Sequence, residues 1–334
     1  MQNLCQLSIS LIFVDLRKRF FIDLKKSHVS LTLAFTAFFA FGPSLFAQAP
    51  TVPIEEESKS SKKSEQQAIL AQIEKLGSEG QLMKLSQIAD QTSQTSSCKL
   101  ALIPAKTDKL SASQIYSQVQ ASLYRVGWGY LCKNCDHWHA NLAGGYAVTH
   151  DGIIATCAHV IDVDEKKMRE GGLIAVDPKG KVYPVQKILA NHDEIDAALL
   201  KIDSETIPLS FNEQVTPGDD SFCLSRPLDQ KGYFSKGMVN RFFWNSSNRG
   251  QDPLSLETLQ HLKLNVSSRW APGSSGSPVL DQFGNVIGHV ATISRLKGNT
   301  AKKTSEVFIT LHTATPARAI KALASKKKIK DSDP

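Results

Sequence analysis

From about residue 120 the chain is written in short apolar runs rich in Val, Ile, Phe and Tyr, each closed by a cluster of Gly, Asp, Asn or Pro. Nine such runs stand out: Leu123–Tyr130, Gly144–Thr149, Gly152–Thr156, Val182–Leu189, Ala197–Ile202, Gly237–Phe243, His261–Val266, Val286–Ile293 and Val307–Leu311. Each is only five to eight residues long. A run that short and that rich in β-branched and aromatic residues makes a strand rather than a stable helix. At least nine strands, joined by turn residues, within about two hundred residues predict an all-β barrel or sandwich. A closing helix is expected over Thr315–Ser325, followed by a basic, solvated tail over 323–334 that contains Lys326-Lys327-Lys328.

Composition narrows the class further. With 334 residues, 41% hydrophobic and 21% charged, the chain is neither fully disordered, nor a collagen-like repeat, nor a multi-span membrane protein. The formal charge of +7 is partly local: the first 49 residues hold five basic and two acidic groups, and the remainder 34 basic and 30 acidic, well dispersed. No nucleic-acid partner is expected from so diffuse a surplus.

Residues 1–49 have the three parts of a secretory address: basic residues ending in Lys25-Lys26, an apolar run from Val29 to Gly42, and small residues through Ala47 and Ala49. Cleavage after Ala47 or Ala49 fits this pattern. Retention of 28–47 as a membrane anchor is the competing outcome, since about 20 apolar residues span a bilayer. Either way the remainder is expected outside the cytoplasm, periplasmic or secreted. Residues 50–112 are read as a linker with a short helical segment. Its first part, to Gln66, is Ser-rich and charged; Ile69, Ile73, Leu76 and then Leu82, Leu85, Ile88 recur at helical spacing.

Three strings inside the strand-rich region carry chemistry. In Trp270-Ala271-Pro272-Gly273-Ser274-Ser275-Gly276-Ser277-Pro278, glycines bracket a serine where the backbone turns tightly. Such a turn can aim the Gly273 and Ser275 amides at one developing oxyanion while Ser275 attacks beside them. In Gly152-Ile153-Ile154-Ala155-Thr156-Cys157-Ala158-His159 an apolar strand ends on a histidine. In His192-Asp193-Glu194-Ile195-Asp196-Ala197-Ala198-Leu199-Leu200 an aspartate stands at the edge of an apolar strand, where an imidazolium neighbour would keep it ionised. Taken singly, the three are a loop, a rim histidine and a strand cap.

Together, in the order His159, Asp196, Ser275, they resemble trypsin-like (chymotrypsin-fold) serine peptidases, above all the bacterial Deg/HtrA type. Thr156-Cys157-Ala158-His159, Asp196-Ala197-Ala198-Leu199-Leu200 and Gly273-Ser274-Ser275-Gly276-Ser277-Pro278 carry the likeness. Pro217-Gly218-Asp219 through Gly237-Met238-Val239 and Gly284-Asn285-Val286-Ile287-Gly288-His289-Val290 extend it over roughly 113–320. The resemblance implies a double six-stranded antiparallel β-barrel over 113–322 with the site between the barrels. It also implies a catalytic triad of His159, Asp196 and Ser275 and an oxyanion hole from the Gly273 and Ser275 amides. No cofactor is required for that chemistry. The family's primary pocket maps to Trp270 and about Ala291, Thr292 and Ile293, which include no acid, so a modest apolar side chain is expected rather than Lys or Arg. No glycine-rich PDZ module is expected after the peptidase region, and Cys157 stands where Ala or Asn is more usual in the family it resembles.

Five cysteines remain beyond the leader, and Leu131-Cys132-Lys133-Asn134-Cys135-Asp136-His137-Trp138-His139 concentrates two of them. Three arrangements fit: a local Cys132–Cys135 disulfide, free thiols, or a structural zinc on Cys132, Cys135, His139 and one of His137 or Cys98. The function expected is an exported serine endopeptidase acting on protein or peptide substrates. The alternative is a non-catalytic trypsin-fold scaffold that binds through another surface. The oligomeric state is left open.

Overall fold

Twelve strands close into two six-stranded antiparallel barrels in the computed structural model, which describes residues 59–94, 97–162, 166–247, 250–299 and 305–325. All of these fall within one unit, Glu55–Pro334. The secretory leader and the tail beyond 325 lie outside the described residues, as does the possible anchor over 28–47. Among the described residues no helix is long and apolar enough to cross a membrane.

The first barrel comprises β1 (Leu123–Cys132), β2 (Trp138–Ala147), β3 (Ile153–Thr156), β4 (Met168–Val176), β5 (Val182–His192) and β6 (Ala197–Ile202), in the order β1-β2-β3-β6-β5-β4. The second comprises β7 (Asp220–Ser225), β8 (Tyr233–Trp244), β9 (Leu262–Val266), β10 (Pro278–Leu280), β11 (Val286–Asn299) and β12 (Ser305–Pro316). Read from β7, its order is β7-β8-β9-β12-β11-β10, the same connectivity repeated. All nine runs read from the sequence fall on these strands. β4, β7 and β10 were not among them, because β4 opens on Met-Arg-Glu-Gly-Gly, β7 carries Asp-Ser at one end and Ser at the other of only six residues, and β10 is three residues beginning with proline.

Closure leaves no free sheet edge, and alternate residues of each strand fill the interior. Val126, Trp128, Ile154, Leu173 and Leu200 pack inside the first barrel, and Val239, Leu264, Val279 and Ile287 inside the second. Between the barrels a third cluster joins Tyr146 and Leu199 to Phe222 and Leu280. Helix α3 (Ala112–Val119) and helix α5 (Ala317–Leu323) seal it through Ile115, Val119, Ile320 and Leu323. The Ser111 hydroxyl and the Gln114 side chain cap α3 reciprocally, which satisfies amides that a helix start would otherwise expose. The four-residue α4 (Leu256–Leu259) precedes β9.

The segment ahead of the barrels is more ordered than its composition predicts. Helix α1 (Lys59–Ser78) includes 59–66, where a linker was expected, and α2 is Leu85–Gln94. Lys, Ser, Glu and Gln do not oppose helix, and tertiary packing decides the matter. Ile69 and Ile73 bury against Ile174, Val176 and Val182, and Gln91 accepts the Ile188 amide. Helix α5 is shorter than expected because β12 continues to Pro316.

Residues 97–110 strap onto the fold through backbone bonds of Cys98, Leu100 and Leu110 to Leu323, Ala324 and Gln282, and through one buried side chain. The fully buried Asn285 accepts from the Lys106 amide and the Ser210 hydroxyl, and donates to the Lys106 carbonyl and to Asp281. All four positions of its amide are used. Replacement by alanine strands several buried polar groups at once. Asn285→Ala should lower unfolding free energy by about 2–3 kcal/mol in denaturant titration, whereas a loss below about 0.5 kcal/mol would mean the strap is held elsewhere.

Candidate active site

Strand pairing brings the histidine and aspartate strings together. β3 pairs with β6, Thr156 opposite Ala198, so the turn after β3 and the residue before β6 share one barrel end. There His159 Nδ1 lies 2.9 Å from Asp196 Oδ1 and 3.1 Å from Oδ2, and the His159 backbone amide also donates to Oδ1. This pairing puts a proton on Nδ1 and leaves Nε2 as the acceptor. Asp196 has φ +63°, a left-handed conformation that its amide secures by donating to the His192 and Asp193 carbonyls. Its own carbonyl accepts from His289 Nε2 at 2.9 Å.

Proton affinities follow from these contacts. The hydrogen bond that its Nδ1–H donates to Asp196 raises the His159 value above that of an ordinary imidazole, against burial, which acts to lower it. Burial tends to raise the Asp196 carboxyl, but the His159 hydrogen bond and charge outweigh it, leaving the group lowered. His289 moves oppositely to His159: fully buried, it is pushed down to about 4 and stays neutral.

The serine turn is delivered by the other barrel. Gly144 of β2 donates its amide to the Ser275 carbonyl at 2.7 Å, and the Gly276 amide donates to Val290. Gly276 has φ +77°, and a Cβ there would lie 2.4 Å from the Gly144 oxygen, 2.5 Å from the Thr156 hydroxyl and 3.1 Å from the Cys157 nitrogen. The turn thus abuts the backbone two residues ahead of His159, and only glycine fits. Ser275 itself is half-buried, and no hydrogen bond joins its hydroxyl to the His159 ring. Gly273 has φ +92°, and its amide and that of Ser275 donate to nothing among the described residues. Two backbone donors without partners flank the hydroxyl.

Trp270 lies against the strand that carries Ala291, Thr292 and Ile293. Trp270 is 5% exposed, packs among Val290 and Ile293, and donates its indole N–H to the Thr292 carbonyl at 3.3 Å. The β11–β12 register shifts between Val290 and Thr292, so Ala291 has no partner on β12.

On the other side of Gly273 lies a cavity of about 410 Å³, lined by Gly144 and Ser277 from the barrels and by Glu65, Gln66 and Ile69 from α1. Glu65 bonds Arg226 at 2.8 Å and sits 3.6 Å from Arg125, while Asp229 pairs with both arginines. Burial would raise the Glu65 carboxyl, but the Arg226 hydrogen bond and charge with Arg125 hold it down. Helix α1 is thereby tied to β1 and to the turn after β7. Sequence reading assigned no role to Glu65 or His289; only the placement of a histidine within an apolar strand marked the latter.

The five described cysteines are free. Cys157 and Cys223 are fully buried, and the Cys157 thiol donates to the Val290 carbonyl. Cys132 and Cys135 are not joined as a disulfide, and their sulfurs gather with His139. Cys98 is not in that group: its amide bonds Leu323 at the end of α5, far along the fold from the β1–β2 hairpin. Its sequence role as a fourth ligand is therefore withdrawn.

Two barrels of repeated connectivity, with a histidine–aspartate pair from one and a glycine-bracketed serine from the other, define the trypsin-like architecture. Residues 143–288 match the family described as the trypsin-like peptidase domain. It is 31% identical over 157 residues to a protein of Arabidopsis thaliana named as protease Do-like 14, covering 44% of this chain and 34% of that one. A Chlamydia muridarum protein named as a DegP-like periplasmic serine endoprotease is 26% identical over 147 residues, covering 43% and 27%. The serine protease HTRA1 of Xenopus laevis is 25% identical over 148 residues, covering 43% and 30%. The matched stretch spans about a third of the length of these curated relatives.

His289 gives this site a stability signature. Its folded value lies below that of a free imidazole, so between about 4 and about 6.5 the unfolded chain binds the extra proton and stability is lost as pH falls. The contribution is roughly 3 kcal/mol between pH 7 and 4. His159, shifted upward, acts with the opposite sign, which a variant comparison removes. His289→Gln should flatten the acid limb of a melting-temperature profile; parallel profiles for variant and wild type would contradict the burial of a neutral ring.

Proposed function

We propose that the protein is an exported serine endopeptidase that hydrolyses peptide bonds of protein substrates through an acyl-enzyme. The observation that carries this reading is the convergence at the barrel junction of a paired imidazole, a serine and two unpartnered amides. His159, its tautomer set by Asp196, accepts the Ser275 proton at Nε2 as the hydroxyl attacks the scissile carbonyl. The Gly273 and Ser275 amides receive the oxyanion, worth about 3–4 kcal/mol per donor. The proton then passes to the leaving amine, and water repeats the cycle on the acyl-serine. A serine–histidine bond absent without substrate closes when substrate excludes water.

A primary pocket formed by Trp270, Ala291, Thr292 and Ile293 holds no acid and favours an apolar side chain of modest size before the cleaved bond. The cavity bordered by α1 reaches Gly273, beside the proposed oxyanion donors. Export rests on the basic, apolar and small-residue order of 1–49 and on the periplasmic name of the Chlamydia relative. N-terminal sequencing of the exported protein separates the two fates of that segment, cleavage near Ala47 or Ala49 and retention as an anchor.

A fluorophosphonate probe should label folded wild type and leave Ser275→Ala unlabelled, with peptide cleavage by the variant reduced at least about a thousandfold. Absence of labelling on folded wild type would favour the non-catalytic scaffold instead. The pH profile carries an independent sign. His159 must be deprotonated to act as base, so kcat/KM should rise with pH, with a midpoint above the ordinary imidazole value of about 6.5. A flat profile between pH 5 and 8 would remove histidine from the mechanism.

A further inference from the structure

The tip of the β1–β2 hairpin is built like a metal site. Tyr130 pairs with His139 and Leu131 with Trp138, and the Cys132 amide donates to the His137 carbonyl, so the loop between them is tight. Asp136 takes φ +53° to turn it. This geometry gathers Cys132 Sγ, Cys135 Sγ and the His139 ring nitrogen so that all lie within 4.8 Å of one another. Cys135 Sγ stands 3.0 Å from His139 Nε2, and the Asn134 amide donates to Cys132 Sγ at 3.4 Å. Tyr130 stacks on the His139 ring with centroids 5.6 Å apart, which limits its rotation.

Two sulfurs and an imidazole are the donor set of a tetrahedral zinc site. Zinc–sulfur bonds of about 2.3 Å and zinc–nitrogen bonds of about 2.0–2.1 Å put neighbouring donors roughly 3.5–3.8 Å apart. The hairpin meets that spacing by side-chain adjustment alone. A backbone amide already directed at a cysteine sulfur stabilises the thiolate that metal binding requires. We propose that Cys132, Cys135 and His139 bind a zinc-class divalent cation, with the fourth corner taken by water or by the neighbouring His137. Each thiol releases its proton on ligation, and no electron changes hands. Asp136 is engaged with Arg169 and is not required as a ligand.

The site is structural and separate from the serine chemistry. It closes the hairpin whose second strand carries Gly144 to the serine turn, and whose Trp138 lies against Gly77 of α1. A second group, Cys157, His159 and Asp196, also places its donor atoms within 4.8 Å, but there the thiol is buried and bonded to Val290 and the imidazole is held by the carboxylate. The test must therefore tell the two apart.

Full-length protein, reduced and stripped with a chelator, would be titrated with zinc against a chromophoric competitor and, separately, with cobalt(II). The expected result is one zinc per chain, thiolate-to-cobalt charge-transfer bands and a rise in melting temperature on zinc addition. Cys135→Ser and His139→Ala should each weaken binding at least about a hundredfold, beyond the 10–100-fold typical of losing an outer-shell partner. His159→Ala should retain full stoichiometry. The proposal is overturned if folded, reduced wild type binds no zinc or if the hairpin variants bind as tightly as wild type. It is also overturned if His159→Ala removes the metal, or if the untreated protein carries a Cys132–Cys135 disulfide, two mass units lighter in the hairpin peptide, and takes up no zinc after reduction.

Discussion

The hydrogen bond from the Gly144 amide to the Ser275 carbonyl crosses from one barrel to the other, and the site depends on it. Neither barrel positions the serine alone. The bond is embedded in a short weave: Thr156 donates its hydroxyl to the Gly144 carbonyl, and both the Gly276 amide and the Cys157 thiol converge on the Val290 carbonyl. Buried bonds of this kind are strong because water is absent and costly to break for the same reason. The weave also explains why the turn has its unusual composition. A side chain at 276 would collide with the strand that presents the histidine, and the amides at 273 and 275 stay unpartnered because their loop is held from behind.

The two histidines nearest the aspartate show how environment divides one residue type into two roles. His159 is half-exposed and faces a carboxylate, which favours its charged form. His289 is fully buried where the barrels meet, edge-on to Tyr146, and faces the backbone carbonyl of the same aspartate, which takes a proton donor but offers too little to keep a buried charge. In the proposed mechanism one ring cycles protons; the other is a fixed donor. The aspartate between them keeps a left-handed backbone because both its amide and its carbonyl are engaged.

Much of this was legible in the chain because the relevant information was local. Strand alternation exposed most of the barrels, and the three strings around His159, Asp196 and Ser275 each carry their own backbone geometry within a few residues. What escaped reading lay in contacts distant along the chain. His289 serves a carbonyl 93 residues away, and Glu65 meets a guanidinium 161 residues away, so no spacing rule reaches either. Strand β4 hides behind two glycines and an acid, and β10 is too short to show a period. The start of α1 was obscured by polar composition, since its stability derives from Ile69 and Ile73 seated on β4 and β5 rather than from its own pattern.

The ion pairs of α1 impose an order on how the molecule completes itself. Glu65 leaves the ribosome well before Arg125 and far before Arg226, so the helix must either wait as a marginal, unsupported segment or settle first on β4 and β5 alone. Closing that long loop costs entropy that only a nearly finished second barrel can offset. The wall that α1 gives the cavity beside Gly273 thus acquires its tie to Arg226 only after residue 226 has been made. A chain interrupted before that stage would hold a histidine–aspartate pair with no fully formed cleft around it.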